Sequence, residues 1–301
     1  MTRILIIRHG ALGDFVQSFG PFAAIRAHHP GAEVVLLTTA PFVGLARLCP
    51  WFDRVEVDAR PGWWDVVGVW RLRGQLAGFD LVYDLQTSGR STRYFALAGR
   101  PDWSGVAVGA RYRQAGGARE GMHTFERQRD QLRIAGIGEV PAPDLGFLTG
   151  REVAGLPDRF AMLVPGASPH RPGKRWPAGR FGELARMLVG RGVVPVVVGA
   201  KEEAGLAGEI LAVCPAAVDF TGRTGLADLF AVAARAVVAV GNDTGPMHIA
   251  AVAGARCVVL FSGESDPALT APRGPGGAWP VVLRENRLAD LPVDRVAAAL
   301  P

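Results

Sequence analysis

A chain of 301 residues with 49% hydrophobic content buries a large core, and its length favours two domains over one. The three cysteines, Cys49, Cys214 and Cys257, are odd in number, far apart and set in apolar sequence, which points away from a disulfide framework or a zinc knuckle and towards a reducing cytoplasm. No apolar stretch reaches the roughly 18 residues of a membrane span, the opening run Ile4 to Ile7 is too short for a secretory leader, and the net charge of +5 proves to be local.

The first half alternates short β-rich runs with segments of helical length, and residues 3–8, 33–38, 54–57, 80–85 and 106–108 read as strands. The first strand runs into Arg8-His9-Gly10-Ala11-Leu12-Gly13-Asp14. Two glycines permit tight backbone geometry and a carboxylate follows where a helix should begin, so Asp14 either caps that helix or projects into a ligand site. From Gln86 to Arg133, nine arginines stand against Asp102, Glu120, Glu126 and Asp130, a local excess equal to that of the whole chain. Such a patch suits an acidic substrate, an anionic membrane surface or nucleic acid, unless it is an ordinary solvated face. Nucleic acid is the weaker partner, because no zinc finger or RNP-like strand accompanies the arginines.

Residues 136–157 are punctuated by glycine and proline with little helical periodicity, and they are expected to link a first domain, 1–150, to a second, 151–301. Beyond them the βαβ rhythm returns, with 160–164, 193–198, 217–220, 236–240 and 256–261 as strands. Their apolar character suits parallel sheets covered on both faces. Ligands of open α/β sheets lie beyond the carboxyl ends of the strands, so two such sheets joined this way are expected to share a central cleft.

After the first strand of the second half comes an irregular loop, Pro165 to Pro177, with Pro177 expected to open a helix whose apolar positions are Phe181, Leu184, Ala185 and Leu188. Lys174 in this loop is one of two lysines beside thirty-one arginines, which suggests that an ammonium there answers a steric demand; a solvated loop lysine is the plain alternative. Further on, Gly241-Asn242-Asp243-Thr244-Gly245-Pro246-Met247-His248 joins a strand to an alanine-rich helical pattern. Free N–H groups and the helix dipole converge at such a turn and suit a phosphate, whereas the plain alternative is that Asp243 or Thr244 merely caps the helix. A carboxylate in one domain with an ammonium, a hydroxyl and a helix N-terminus in the other is a layout for group transfer.

Other familiar motifs fit less well. No G-x-G-x-x-G follows the first strand, and no Ser or Thr follows Lys174, which disfavours NAD binding and a P-loop. Without an Asp-x-Asp pair or a dense His, Cys and carboxylate cluster, no metal is expected and the protein itself must meet phosphate charge. A competitor lies in Arg8-His9-Gly10, which looks like the signature of histidine phosphatases and would need a second histidine such as His248 or His123.

Three motifs together make the sequence resemble glycosyltransferase family 9, the bacterial heptosyltransferases of lipopolysaccharide core assembly, over nearly the whole chain. They are I-L-I-I-R-H-G-A-L-G-D-F-V-Q-S-F-G-P, in which His9 replaces a more usual apolar residue; P-G-A-S followed by K-R-W-P; and V-G-N-D-T-G-P-M-H-I-A-A. The resemblance implies an α/β fold of the GT-B type, two Rossmann-like parallel-sheet domains facing a central cleft, with acceptor held by the first and nucleotide sugar by the second. By motif match, Ser168 and Lys174 would contact the donor diphosphate and Asp243 the sugar. Thr244 and Gly245 would offer N–H groups beside Pro246, with His248 one helical turn further in. Asp14 matches the base, and Arg111 and Arg113 of the arginine patch would hold phosphate or ulosonate groups of a lipid-linked saccharide. An inverting transfer needing no cofactor follows, with ADP-heptose the best-known donor, in the cytoplasm and peripherally at the inner face of its membrane. A non-catalytic sugar-nucleotide binder is the remaining alternative, though it would have no use for Asp14.

Overall fold

Runs of Val, Ile and Leu too apolar to leave one face in water assemble into two six-stranded sheets in which all neighbouring strands are parallel. The computed structural model describes residues 1–168 and 170–301 and separates into two units, Met1–Pro143 and Asp144–Pro301. Their division falls within the glycine- and proline-rich segment, ahead of residue 150.

In the first unit, β1 (Arg3–Ile7), β2 (Glu33–Thr38), β3 (Arg54–Val57), β4 (Leu81–Asp84), β5 (Asp102–Gly105) and β6 (Tyr112–Arg113) lie in the order β3-β2-β1-β4-β5-β6. Helices α1 (Leu12–Gln17), α2 (Phe19–His28), α3 (Ala40–Ala46), α4 (Val66–Leu76), α5 (Gly89–Leu97) and α6 (Thr124–Ile134) connect or follow them. In the second unit, α7 (Gly146–Thr149) precedes β7 (Phe160–Val164), β8 (Val194–Val197), β9 (Val218–Asp219), β10 (Val238–Asn242), β11 (Cys257–Phe261) and β12 (Val281–Arg284). These form the order β12-β11-β10-β7-β8-β9, with α8 (Ala178–Gly190), α9 (Ala204–Val213), α10 (Leu226–Arg235), α11 (Gly245–Val252), α12 (Pro267–Thr270) and α13 (Val293–Ala298) between or after the strands.

The two orders are the same. Each unit lays three strands outward in one direction, returns to the middle and lays three outward in the other, so the reversal falls between β1 and β4 and again between β7 and β10. At such a reversal the two connections leave the sheet on opposite faces and open a crevice beyond the strand ends. Register pins the crevice: Ile7 pairs with Asp84 and Val164 with Gly241.

Packing covers both faces of each sheet. Leu5 and Ile7 join one buried cluster with Leu72, Leu76, Tyr94 and Trp103, whereas Ile4 and Ile6, pointing the other way, are also fully buried. On their side an aromatic group grows from α1, α2 and α3, where Phe15 stacks on Phe42 at 4.8 Å between ring centroids and meets Phe22 edge to face at 5.6 Å. In the second unit Phe181, Leu184, Ala185 and Leu188 of α8 point into the core as their spacing requires, and Pro177 sits at the N-cap, one residue before the helix.

Three strands depart from expectation. The strand expected at 106–108 is instead β5, Asp102–Gly105; Trp103 carries it into the core, while Val108 is exposed in the turn that Gly109 makes at φ +88°. Neither β6 nor β12 was anticipated, since both are edge strands with half-exposed residues and so lack a clear apolar run.

Candidate functional site

The loop after β7 and the turn after β10 flank the reversal in the second sheet, so topology alone brings Lys174 to Asp243. The ammonium Nζ lies 2.6 Å from Asp243 Oδ2, with the lysine side chain 12% and the aspartate side chain 7% exposed. Ser265, just beyond β11, donates its hydroxyl to the same carboxylate oxygen at 2.7 Å. Asn242 ties the two connections together: its Oδ1 accepts from the Trp176 N–H at 3.0 Å and its Nδ2 donates to the Pro165 carbonyl at 2.7 Å. Trp176 is itself anchored, donating from Nε1 to the Leu291 carbonyl at 3.0 Å. The loop lysine is therefore held, not solvated, and because an ammonium carries three N–H donors it keeps others for an anion.

Neither candidate cap acts as one. Thr244 occupies the N-cap of α11 with no side-chain hydrogen bond to the helix, and Asp243 is taken up by Lys174 and Ser265. Neither side chain therefore occupies the N–H groups at Thr244 and Gly245, and Pro246 has none to offer. Close approach of the backbone is built in at Gly241, where an added Cβ would stand 2.5 Å from Val164 Cβ and 2.8 Å from the Met247 sulfur. His248 lies within α11, half-buried, and Ser168 is exposed in the loop.

In the first unit the corresponding connections follow β1 and β4. Arg8, buried, donates to the main-chain oxygen of Asp14 from Nη2 at 2.8 Å and from Nη1 to the Leu85 carbonyl, bridging the two loops as Asn242 does in the other sheet. Asp14 is the third residue of α1 and not its cap; Arg8 Nη2 stands 3.5 Å from its Oδ1, yet the side chain is 46% exposed. The carboxylate is accordingly oriented and accessible. Gly10, at φ +118°, admits no side chain because a Cβ would lie 2.5 Å from the Phe42 ring.

The histidine-phosphatase reading of Arg8-His9-Gly10 fails on this geometry. His9 is buried with Nε2 3.0 Å from Asp58 Oδ2, and Tyr94 donates to that same oxygen at 2.6 Å, so the ring is part of a closed network and not a free nucleophile. Burial raises the Asp58 carboxyl, but hydrogen bonds from His9, Tyr94 and the Arg60 N–H outweigh it and hold the group below the usual carboxylate range.

The arginine patch is dispersed. Arg111 pairs with Asp102 at 2.5 Å on the surface, Arg113 is exposed at the sheet edge, and Arg129 donates to the Val140 carbonyl at 2.9 Å. Arg119, by contrast, turns inward to Thr87 and Gln114, where burial and then the charge of Arg127 push its guanidinium below its ordinary value. Arg127 acts on Arg8 in the same sense. Mutually repelling cations beside the ends of β1 and β4 favour an anion, and the linear charge count could not have separated them from Arg111.

Asp84, the last residue of β4, is fully buried there, and burial pushes its carboxyl up to about 6 against the opposing bond from the Thr87 N–H. A raised native pKa means the folded chain holds a proton that the unfolded chain has lost, so wild-type stability declines as pH rises from about 4 to about 6. Asp84→Asn should remove this decline, gaining about 3 kcal/mol relative to wild type between pH 4 and 7 in denaturant melts. A difference that does not vary with pH would refute the assignment.

Among the described residues no group of three or more His, Cys, Asp and Glu is disposed to hold a metal, and no helix is long and apolar enough to cross a membrane. The three cysteines are free and buried.

The sequence profile described as glycosyltransferase family 9 (heptosyltransferase) matches residues 69–278. A putative glycosyltransferase of Haemophilus influenzae is 37% identical over 60 residues, which is 20% of this chain and 17% of that protein. The lipopolysaccharide core heptosyltransferase OpsX of the same organism is 22% identical over 304 residues, covering 89% of this chain and 81% of its own length. Among solved structures, E. coli heptosyltransferase WaaC with ADP superposes with a TM-score of 0.78 at 19% identity, covering 99% of this chain and 98% of that one. Its form with ADP-2-deoxy-2-fluoro heptose gives 0.76 at 19% identity over the same shares of both chains.

Proposed function

The chain belongs to glycosyltransferase family 9, and from that premise we propose that it transfers heptose from ADP-heptose, with inversion and without a metal ion, to an anionic saccharide of the lipopolysaccharide core. The second unit would take the nucleotide sugar and the first the acceptor. The observation that carries this reading is the Lys174–Asp243 pair beside the uncapped N-terminus of α11, at the reversal point of the second sheet. Similarity to a heptosyltransferase structure that contains ADP supports the choice of nucleotide.

The chemistry follows from where charge develops. The acceptor hydroxyl oxygen attacks the anomeric carbon while Asp14 takes its proton, and the pair of electrons in the bond between that carbon and the diphosphate leaves on the diphosphate. Lys174 and the Thr244 and Gly245 N–H groups meet the growing negative charge, stabilising the transition state more than the bound substrate. Asp243 orients the ammonium and touches the sugar, with Ser168 on the diphosphate, Pro246 shaping the turn and His248 beyond it. The inward Arg119 and Arg127 would meet the acceptor's anionic groups, with Arg111 and Arg113 reaching them only from the surface at the sheet edge, and a lipid-linked acceptor would bring the enzyme peripherally to the inner membrane surface.

A thermal-shift series with ADP, UDP, GDP and CDP tests the donor class. A ligand that binds the folded state alone adds about 2.7 kcal/mol at a hundred times its Kd, so ADP should raise the melting temperature at concentrations where the other three do not. A rise with UDP in place of ADP would reject the adenine nucleotide.

A further inference from the structure

The helix α4 and the loop before it present an apolar surface that the protein builds rigidly and leaves uncovered. Trp64 is 88% exposed, Val66 77% and Trp70 73%, with Val67 also exposed. Val66 and Trp70 are four residues apart and stack with Val67 on the outward side of α4, whereas Leu72 and Leu76, also four apart, are buried on the inward side. Arg71 and Arg73, both exposed, border the outward stripe. A helix with one apolar stripe for its own core and a second for something else has a partner.

The approach to α4 is fixed, not slack. Arg60 is held at φ +50° with its N–H on Asp58 Oδ1, and Asp65 caps α4 by accepting from the Gly68 N–H at 2.9 Å. Gly62 lies under the Trp64 indole, where a Cβ would come within 2.6 Å of the ring. Arg90 donates to the Pro61 carbonyl at 2.6 Å and spreads its guanidinium 4.9 Å from the centroid of Trp63, with Arg93 at 5.6 Å from the same ring. Arg90 and Arg93 thus lie over Trp63, and Arg60, Arg71 and Arg73 are exposed beside the apolar stripe; of the nearby acids, Asp65 is engaged in capping and Glu56, which lines a groove with Trp70, Arg71 and Arg73, pairs with Arg54.

We propose that Trp64, Val66, Val67 and Trp70 insert into the headgroup region of an anionic phospholipid bilayer while Arg60, Arg71 and Arg73 contact lipid phosphates. Indole rings favour that zone because one edge is polar and the body apolar, and an amphipathic helix rimmed with arginine lies in its plane. The 11 residues of α4 are too few to span, which leaves in-plane attachment. This deepens the reading that the acceptor is lipid-linked and rests on it. Basic residues at the rim distinguish the bilayer from a second copy of the same positively charged surface, which would repel.

Sedimentation with vesicles of phosphatidylethanolamine and phosphatidylglycerol, against phosphatidylcholine vesicles, tests the proposal. Wild type should bind the anionic vesicles and be released by salt; Trp64→Ser/Trp70→Ser should weaken binding about tenfold or more, and Arg71→Gln/Arg73→Gln roughly fivefold per arginine at low salt. Both variants should melt like wild type and transfer sugar to a delipidated, soluble acceptor at the wild-type rate. Wild-type indifference to the vesicles, unchanged binding by the tryptophan variant, a dimer that this variant abolishes, or loss of transfer to the soluble acceptor would each overturn it. Failure to bind vesicles with transfer intact sinks only the attachment surface, whereas absence of transfer by wild type sinks the catalytic reading and leaves vesicle binding to stand alone.

Discussion

Asp14→Asn is expected to leave a folded protein with wild-type nucleotide binding whose sugar transfer falls by about 10²- to 10⁴-fold, the usual contribution of a positioned general base. The side chain is nearly half exposed and, among the described residues, its close cation is Arg8 alone, so its removal costs little stability. Arg8 remains anchored to the Leu85 carbonyl and to the main chain of residue 14, so the turn keeps its shape in the variant. Asparagine preserves size and hydrogen bonding but cannot accept the hydroxyl proton. The loss should therefore appear in kcat, measured as release of nucleoside diphosphate, while the thermal shift with ADP is retained. Turnover at the wild-type rate would remove Asp14 from the mechanism.

Lys174→Ala should lower kcat by about 10²- to 10³-fold, as when one donor to developing negative charge is removed. It should also destabilise, since Asp243 is left buried with Ser265 as its one remaining side-chain partner among the described residues, and breaking a buried pair from one side costs about 3–5 kcal/mol. The two effects can be separated. In Lys174→Met/Asp243→Asn no charge is stranded, so melting temperature should recover while transfer does not. Recovery of both, or wild-type turnover by the single variant, would show that the lysine serves only the fold.

Much of this arrangement was legible in the residues, for identifiable reasons. The central strands of both sheets are buried on both faces, so their apolar runs stand out, and the chemistry of an open α/β sheet gathers at the turns that follow β1, β7 and β10. Motif matches could nominate Lys174 and Asp243 separately; their direct pairing required knowing that β7 and β10 are neighbours, which depends on a strand order spread over many residues. Ser265 was missed because its only signal is its place after β11, and Asn242 was visible in the motif without its role as the tie between two loops. Arginine counting found the basic region yet could not tell the inward Arg119 from the surface-paired Arg111, a distinction that packing alone makes.

The clasp of Asp243 on Lys174 bears on how tightly a donor can be held. A free lysine side chain surrenders about 2 kcal/mol of rotamer freedom when it is immobilised, and here that loss is incurred during folding. On the proposed reading, an incoming pyrophosphate would meet an ammonium already stationary, so its binding would require no further ordering of that chain and affinity would reflect new contacts more fully.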